Sequence, residues 1–275
     1  MTGSTITLED YPLEDAIRIF RSAGFNTLEV WKHHLKRCKT AELRQRFAAW
    51  AKGCGIGMGG FNAVGEDYFQ PFGTDAELEA TLEGLKADTQ IALALGARDL
   101  LIWEGRAPQG TSESDWLDRL LPRLTELLRA ATGYASSLGI RILTEPHPFT
   151  VGMSDRFLAR LCDAFDPKWF GVTYDFCHYG VGRPTGYIEA VRALGHRIRH
   201  IHYSDTDQKT SELHFPPGSA RLNIYGILDA FKEIRYNGSM ALDLYGYPLP
   251  VHELERCAGR LREASEYLGI GELFQ

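Results

Sequence analysis

Short β-rich runs alternate with longer amphipathic stretches along the whole chain, the pattern of βα units around a parallel sheet. Eight such units can be read in the 275 residues. Residues 5–8 give a first strand, and the helix after it begins near Pro12, carries Leu13, Ile17 and Phe20 at helical spacing, and stops at Gly24. Further strands are predicted at residues 26–31, 55–61, 99–105, 141–147, 171–178, 198–205 and 240–246. The helices between them are predicted at residues 40–52, 75–95, 114–138, 155–165, 187–194 and 224–234, with a closing helix over 251–268. No linker, low-complexity tract or basic tail breaks the alternation, so residues 1–275 read as one (β/α)8 TIM barrel domain of the α/β class. Glycine crowds the third strand, which points to close backbone approach there. One connection, residues 206–221, is long, and its Ser211 to Ser219 loop, containing Pro216, Pro217 and Gly218, has the length of a lid.

Four of the later strands stay apolar until their last residues and then end in a carboxylate or an imidazole. Side chains alternate along a strand, so parity decides which residues can meet. Leu143, Glu145 and His147 share a face, as do Thr173, Asp175 and Cys177, then His200, His202 and Ser204, then Ala241, Asp243 and Tyr245. If these faces point inward, Glu145, Asp175, His202 and Asp243 converge at the C-terminal mouth, where barrel active sites lie. Three carboxylates crowded there repel one another unless a cation balances them. Hard oxygen donors with one imidazole suit Mn²⁺, Mg²⁺ or Co²⁺ in an open octahedral shell, with Mn²⁺ preferred and positions left for substrate oxygens.

These residues carry a resemblance. Glu145, Pro146 and His147 at the fifth strand, Asp175 and His178 at the sixth, His202 and Asp205 at the seventh, an acid ending the eighth, and the Ala23 to Val30 block resemble the xylose isomerase-like barrels. That sugar phosphate isomerase/epimerase group includes ketose 3-epimerases, hydroxypyruvate isomerases and inosose dehydratases. The resemblance implies a divalent metal on Glu145, Asp175, His202 and Asp243, with His178 contacting the substrate or supporting the ligands from behind. It also implies an enediolate mechanism in which Glu145 removes a proton and Asp243 returns one. Two departures stand out: the eighth-strand acid is usually Glu and here is Asp243, and the seventh loop reads Pro217, Gly218, Ser219, Ala220 in place of Pro-Gly-x-Gly.

Other residues admit two readings each. Asp175 alone could cap a helix. His147 could bind substrate or support the site, and His200 reads as a packed barrel residue. Either His33 or His34, adjacent in a loop, could reach a substrate, whereas Glu29 reads as an interior carboxylate with a basic or polar partner. Trp31, Trp103 and Tyr245 could wall a sugar face or simply fill the core. Arg106 could bind a phosphate or carboxylate or stay solvated, and His214 could face substrate or solvent.

Composition narrows the function classes. The chain is 44% hydrophobic and 24% charged with a net charge of −6, which gives no general attraction for nucleic acid or an anionic membrane. Its five cysteines are odd in number, widely spaced and include no Cys-x-x-Cys pair, so neither a disulfide framework nor a thiolate zinc cage is expected. Residues 1–10 lack the features of a signal peptide, and a cytoplasmic location is expected. The leading expectation is a metal-dependent isomerase or epimerase acting on a small sugar or polyol-derived carbonyl compound, with a homodimer as the assembly. A lyase using the same site, as in inosose dehydration or oxidised-glycoside cleavage, is the alternative. An apurinic-site endonuclease would need more metal ligands and a basic groove, and a non-catalytic sugar-binding relative has only Asp243 in its favour.

Overall fold

The computed structural model describes residues 1–65 and 68–270. Eight parallel strands close into a barrel in chain order. They are β1 (Thr2–Ser4), β2 (Thr27–Trp31), β3 (Gly57–Asn62), β4 (Asp99–Ile102), β5 (Arg141–Thr144), β6 (Phe170–Asp175), β7 (Ile198–Tyr203) and β8 (Ser239–Leu242). Around them lie α1 (Leu13–Ser22), α2 (Ala41–Gly53), α3 (Asp75–Leu95), α4 (Glu113–Asp115), α5 (Leu121–Ser137), α6 (Asp155–Cys162), α7 (Phe176–Gly182), α8 (Tyr187–Leu194), α9 (Ile224–Glu233) and α10 (Leu254–Leu268). Helix starts follow side-chain chemistry: Thr74 and Glu77 form a reciprocal capping box on α3, and Thr40 caps α2. Gly96 ends α3 in the left-handed conformation at φ 75°, as a C-terminal glycine should. The helices pack on the outer strand faces, where Leu28, Val30, Leu100, Ile142, Val172 and Ile201 are buried in one apolar cluster.

Four local predictions need correction. Residues 5–8 form a 3-10 turn, not the first strand. The Thr5 hydroxyl there accepts from Trp31 N and the Thr7 hydroxyl from Leu244 N, so the alternation that looked like a strand ties together two strand ends. The paired strand lies just before it, in the polar Thr2–Ser4 run, where a Cβ on Gly3 would collide with the Phe20 ring. Lys32, His33 and His34 likewise belong to a 3-10 helix (Lys32–Arg37) and not to an irregular loop. The predicted helix over 114–138 is interrupted by a π segment (Trp116–Leu120), because Pro122 has no N–H for the α register and Leu121 N bonds instead to Trp116 O. Lastly, β6 stops at Asp175, and Cys177 and His178 sit on α7.

The inside of the barrel is unusually polar. Ser4, Glu29, Asn62, His200 and His202 hydrogen-bond or pair across it from four different strands, where branched apolar layers are the common filling. Below them, at the N-terminal end, a cavity of about 900 Å³ runs over the glycine floor of β3 as far as Glu29 and His200. A bidentate ion pair, Arg141 to Asp99 with both bonds 2.8 Å, lies in its wall. The long 206–221 connection is tied down: Asp205 and Phe215 exchange backbone bonds of 2.8 and 2.9 Å, and the buried Asp205 carboxylate accepts from Thr206, Ala220 and Leu222 N–H groups. Among the described residues no helix is long and apolar enough to cross a membrane.

Candidate active site and metal centre

Register sets the site. Asp175 on β6 stands opposite His202 on β7, and His202 opposite Ala241 on β8, two residues before Asp243. His202 Nδ1 lies 2.6 Å from Glu145 Oε1, 3.5 Å from Asp175 Oδ2 and 3.5 Å from Asp243 Oδ2. All four side chains are buried. Two of the carboxylates divide their oxygens between jobs. Asp175 Oδ1 accepts the His178 N–H at 2.7 Å and so caps α7, while Oδ2 faces the cluster without a hydrogen-bond partner. Asp243 Oδ1 accepts the Tyr245 N–H at 3.0 Å, leaving Oδ2 toward His202. The capping and cluster-facing readings of Asp175 are therefore compatible.

Three further imidazoles surround this cluster. His178 Nδ1 lies 3.7 Å from Glu145 Oε1, and His214 Nδ1 lies 3.4 Å from Asp243 Oδ1. His147 packs its ring against His178, with centroids 3.8 Å apart, and against Trp103. The Nδ1 atoms of His178 and His214 and both ring nitrogens of His147 are buried without hydrogen-bond partners. Orphaned buried polar atoms are rare in folded proteins and call for an explanation. Potential ligand atoms of Glu145, Asp175 and His202 lie within 4.8 Å of one another, a spacing and donor set that fit a divalent cation.

Electrostatics follow from burial and crowding. Burial, partly offset by His202, pushes the Glu145 carboxyl up to about 7. Burial alone would lower the His202 imidazole, but Glu145 and Glu29 overcome it and hold it well above the ordinary range. Asp175 is burdened by burial too, yet His178, His214 and His202 keep its carboxyl below the usual value. Burial takes His178 down to about 4, against the pull of Asp175.

Above the cluster opens a cavity of about 360 Å³. Glu145 and Asp243 reach its floor, whereas Asp175 and His202 lie beneath the lining. His147, His178 and His214 line it, and so do Trp31, Trp103 and Tyr245. Arg106 stands at its exposed rim, with its guanidinium 4.1 Å above the Phe149 ring. Of the adjacent histidines, His33 lines the cavity and stacks on Trp31, while His34 bonds to the Thr5 hydroxyl and Leu8 O. His200 is a packed interior residue, bonded to Ser239.

Some residues at or behind the site were not singled out from sequence. Asn62 lies one residue past the predicted third strand and donates to Glu29 at 3.1 Å. Glu104 is fully buried and accepts from Thr144 and Gly152. Its signal was available, as a carboxylate closing an apolar run.

Comparison with known proteins agrees with this architecture. The family described as xylose isomerase-like TIM barrel matches residues 17–266, and the chain belongs to it. An inosose dehydratase of Geobacillus thermodenitrificans is 26% identical over 152 residues, 52% of this chain and 50% of that one. A fructoselysine 3-epimerase of Escherichia coli O157:H7 is 23% identical over 242 residues, 85% of this chain and 86% of that one. The chain spans about half the length of the first curated relatives it matches, 56% and 50%. Among solved structures, the IOLI protein with a bound zinc atom superposes with a TM-score of 0.77 at 15% identity, covering 100% of this chain and 99% of that one.

Proposed function

We propose that this xylose isomerase-like barrel is a divalent-metal-dependent isomerase or epimerase acting on a ketose, an aldose or a related carbonyl compound. The observation that supports it best is the buried cluster in which one imidazole nitrogen faces three carboxylates from separate strands, one of them with an unpartnered oxygen. Glu145, Asp175, His202 and Asp243 would hold the cation, with Mn²⁺ the first candidate and Mg²⁺ or Co²⁺ next. When bound, such a cation polarises a substrate carbonyl and the neighbouring hydroxyl. Glu145, a carboxylate that reaches the cavity floor, then takes the proton from the carbon between them. Asp243, across the mouth just past the end of β8, returns a proton to the other side of the resulting enediolate. Trp31, Trp103 and Tyr245 wall the sugar, and His147, His178 and His214 hydrogen-bond its hydroxyls. Arg106 contacts the end of the substrate farthest from the floor.

A second reading, a lyase of the dehydratase type, draws on His214. His214 lines the cavity with its Nδ1 3.4 Å from Asp243 Oδ1, where an imidazole could protonate a departing hydroxyl. The inosose dehydratase relative supports the same reading. Elemental analysis followed by NMR in D₂O with ketoses, inososes and 3-oxo-glycosides separates the two. An isomerase or epimerase conserves mass and incorporates deuterium at the substrate carbon, whereas a dehydratase loses water. Turnover without deuterium uptake would sink the proton-transfer mechanism in favour of a hydride shift.

A further inference from the structure

On the side away from the cluster, His202 meets another carboxylate. Its Nε2 lies 3.2 Å from Glu29 Oε1 and 3.1 Å from Glu29 Oε2. Glu29 is itself held from three directions. The Ser4 hydroxyl donates to Oε1 at 3.2 Å, the Asn62 amide donates to Oε1 at 3.1 Å, and His200 Nε2 stands 3.2 Å from Oε2. The amide cannot present its oxygen instead, because Asn62 Oδ1 already accepts the Val64 N–H at 2.9 Å. His200 is pinned in turn by a 2.6 Å contact between its Nδ1 and the Ser239 hydroxyl. Five side chains on β1, β2, β3, β7 and β8 thus form a polar layer directly beneath the cluster.

A layer of this depth could serve only to fill the barrel. Leucine or valine would fill it without the cost of a buried charge, and such residues are the usual filling. What the polar layer adds is direction: both Glu29 oxygens are aimed at the one nitrogen of His202 that does not face the cluster. A ligating imidazole is neutral and carries a single N–H; once a cation takes the place of the Nδ1 proton that Glu145 Oε1, 2.6 Å away, otherwise accepts, the remaining N–H is the one at Nε2 that faces both Glu29 oxygens.

We propose that Glu29 is the positioning residue of the metal centre, accepting the Nε2–H of His202 and so fixing the tautomer and ring orientation that present Nδ1 to the cation. The assignment rests on the reading of the Glu145, Asp175, His202 and Asp243 cluster as a metal site. Ser4, Asn62 and His200 keep the Glu29 carboxylate from turning. Glu29 does not line the cavity of about 360 Å³ and meets the cluster only through the His202 ring.

The test uses Glu29→Gln, which keeps the shape but places an amide against Nε2. Mn²⁺ is titrated into the apo forms of both proteins by calorimetry and electron paramagnetic resonance, with far-UV circular dichroism confirming the fold. The expected result is native dichroism with Mn²⁺ bound about 10- to 100-fold more weakly, the usual cost of removing a partner behind a ligating imidazole. Affinity within about twofold of wild type in a folded variant overturns the assignment. Should the variant not fold, wild-type protein with ¹⁵N-labelled histidine and bound Zn²⁺ decides the matter. His202 is then expected to show a protonated, slowly exchanging Nε2 and a metal-shifted Nδ1; a protonated Nδ1 overturns the role of Glu29 alone. Wild-type protein that takes up neither Mn²⁺ nor Zn²⁺ overturns the metal reading itself, and Glu29's role with it.

Discussion

The two ends of the barrel hold cavities of opposite character. The N-terminal one is larger, about 900 Å³ against about 360 Å³, but its wall is largely glycine and alkyl surface. Its half-buried ion pair is complete, since Asp99 holds both of the Arg141 bonds. Lys52 and Arg98 at its edge are exposed and lie where α2 and α3 end, a position that favours cations whether or not anything binds. The C-terminal cavity is smaller, yet buried acceptors and ring nitrogens without partners crowd its floor. Room alone does not mark a site; unmet lone pairs at close quarters do.

The widest test of that contrast is Glu145→Gln. Its expected effect is a fall in kcat of about 10² to 10⁴, the range for loss of a general base, together with weaker Mn²⁺ binding. Steady-state kinetics and metal titration measure both, and a fully active variant would move the chemistry elsewhere. The matching break at the other end is Arg141→Met, which strands the Asp99 carboxylate. Urea unfolding should show a loss of about 1 to 3 kcal/mol, while the Mn²⁺ affinity of the folded protein stays at its wild-type value. A large change in metal binding would mean that the two ends are coupled.

A narrower test concerns Glu104, which lies behind the C-terminal cavity. Burial, eased in part by Thr150 and Thr144, pushes its carboxyl from 4.5 up to about 7. Between those values the native state holds a proton that the unfolded chain releases. Stability therefore falls as pH rises through that window, and the penalty is complete above it. Glu104→Gln should stabilise the fold by on the order of 3 kcal/mol near pH 8 and change little near pH 4. Thermal melts at the two pH values check this, and equal shifts at both would remove burial of charge as the cause.

Much of this contrast was legible in the residues. Strands β2 to β8 stood out because their outer faces are apolar and buried under helices, which gives a strong hydrophobic signal. The expected α/β barrel is the fold observed. Parity placed Glu145, Asp175, His202 and Asp243 at successive strand ends, where the structure gathers them. The polar interior was harder to read. β1 is Thr2, Gly3 and Ser4, with no apolar run to announce it, while the hydroxyl-rich turn after it imitates alternation. Helix α7 was absorbed into β6 because Asp175 ends one element and caps the next with no residue between. Asn62 escaped notice because an amide matters only through partners on other strands, and a linear pattern does not display these.

The divided carboxylate of Asp175 has a consequence for how this barrel can change. One oxygen starts α7 and the other faces the cluster, so on the proposed reading a substitution there would damage folding and chemistry together. Selection for a new substrate would find that position closed. Arg106, whose side chain rests on the Phe149 ring at the rim, carries no such double duty. Libraries aimed at altered specificity should therefore yield active variants at the rim and almost none at the cap, which makes the lip of the cavity the part free to evolve.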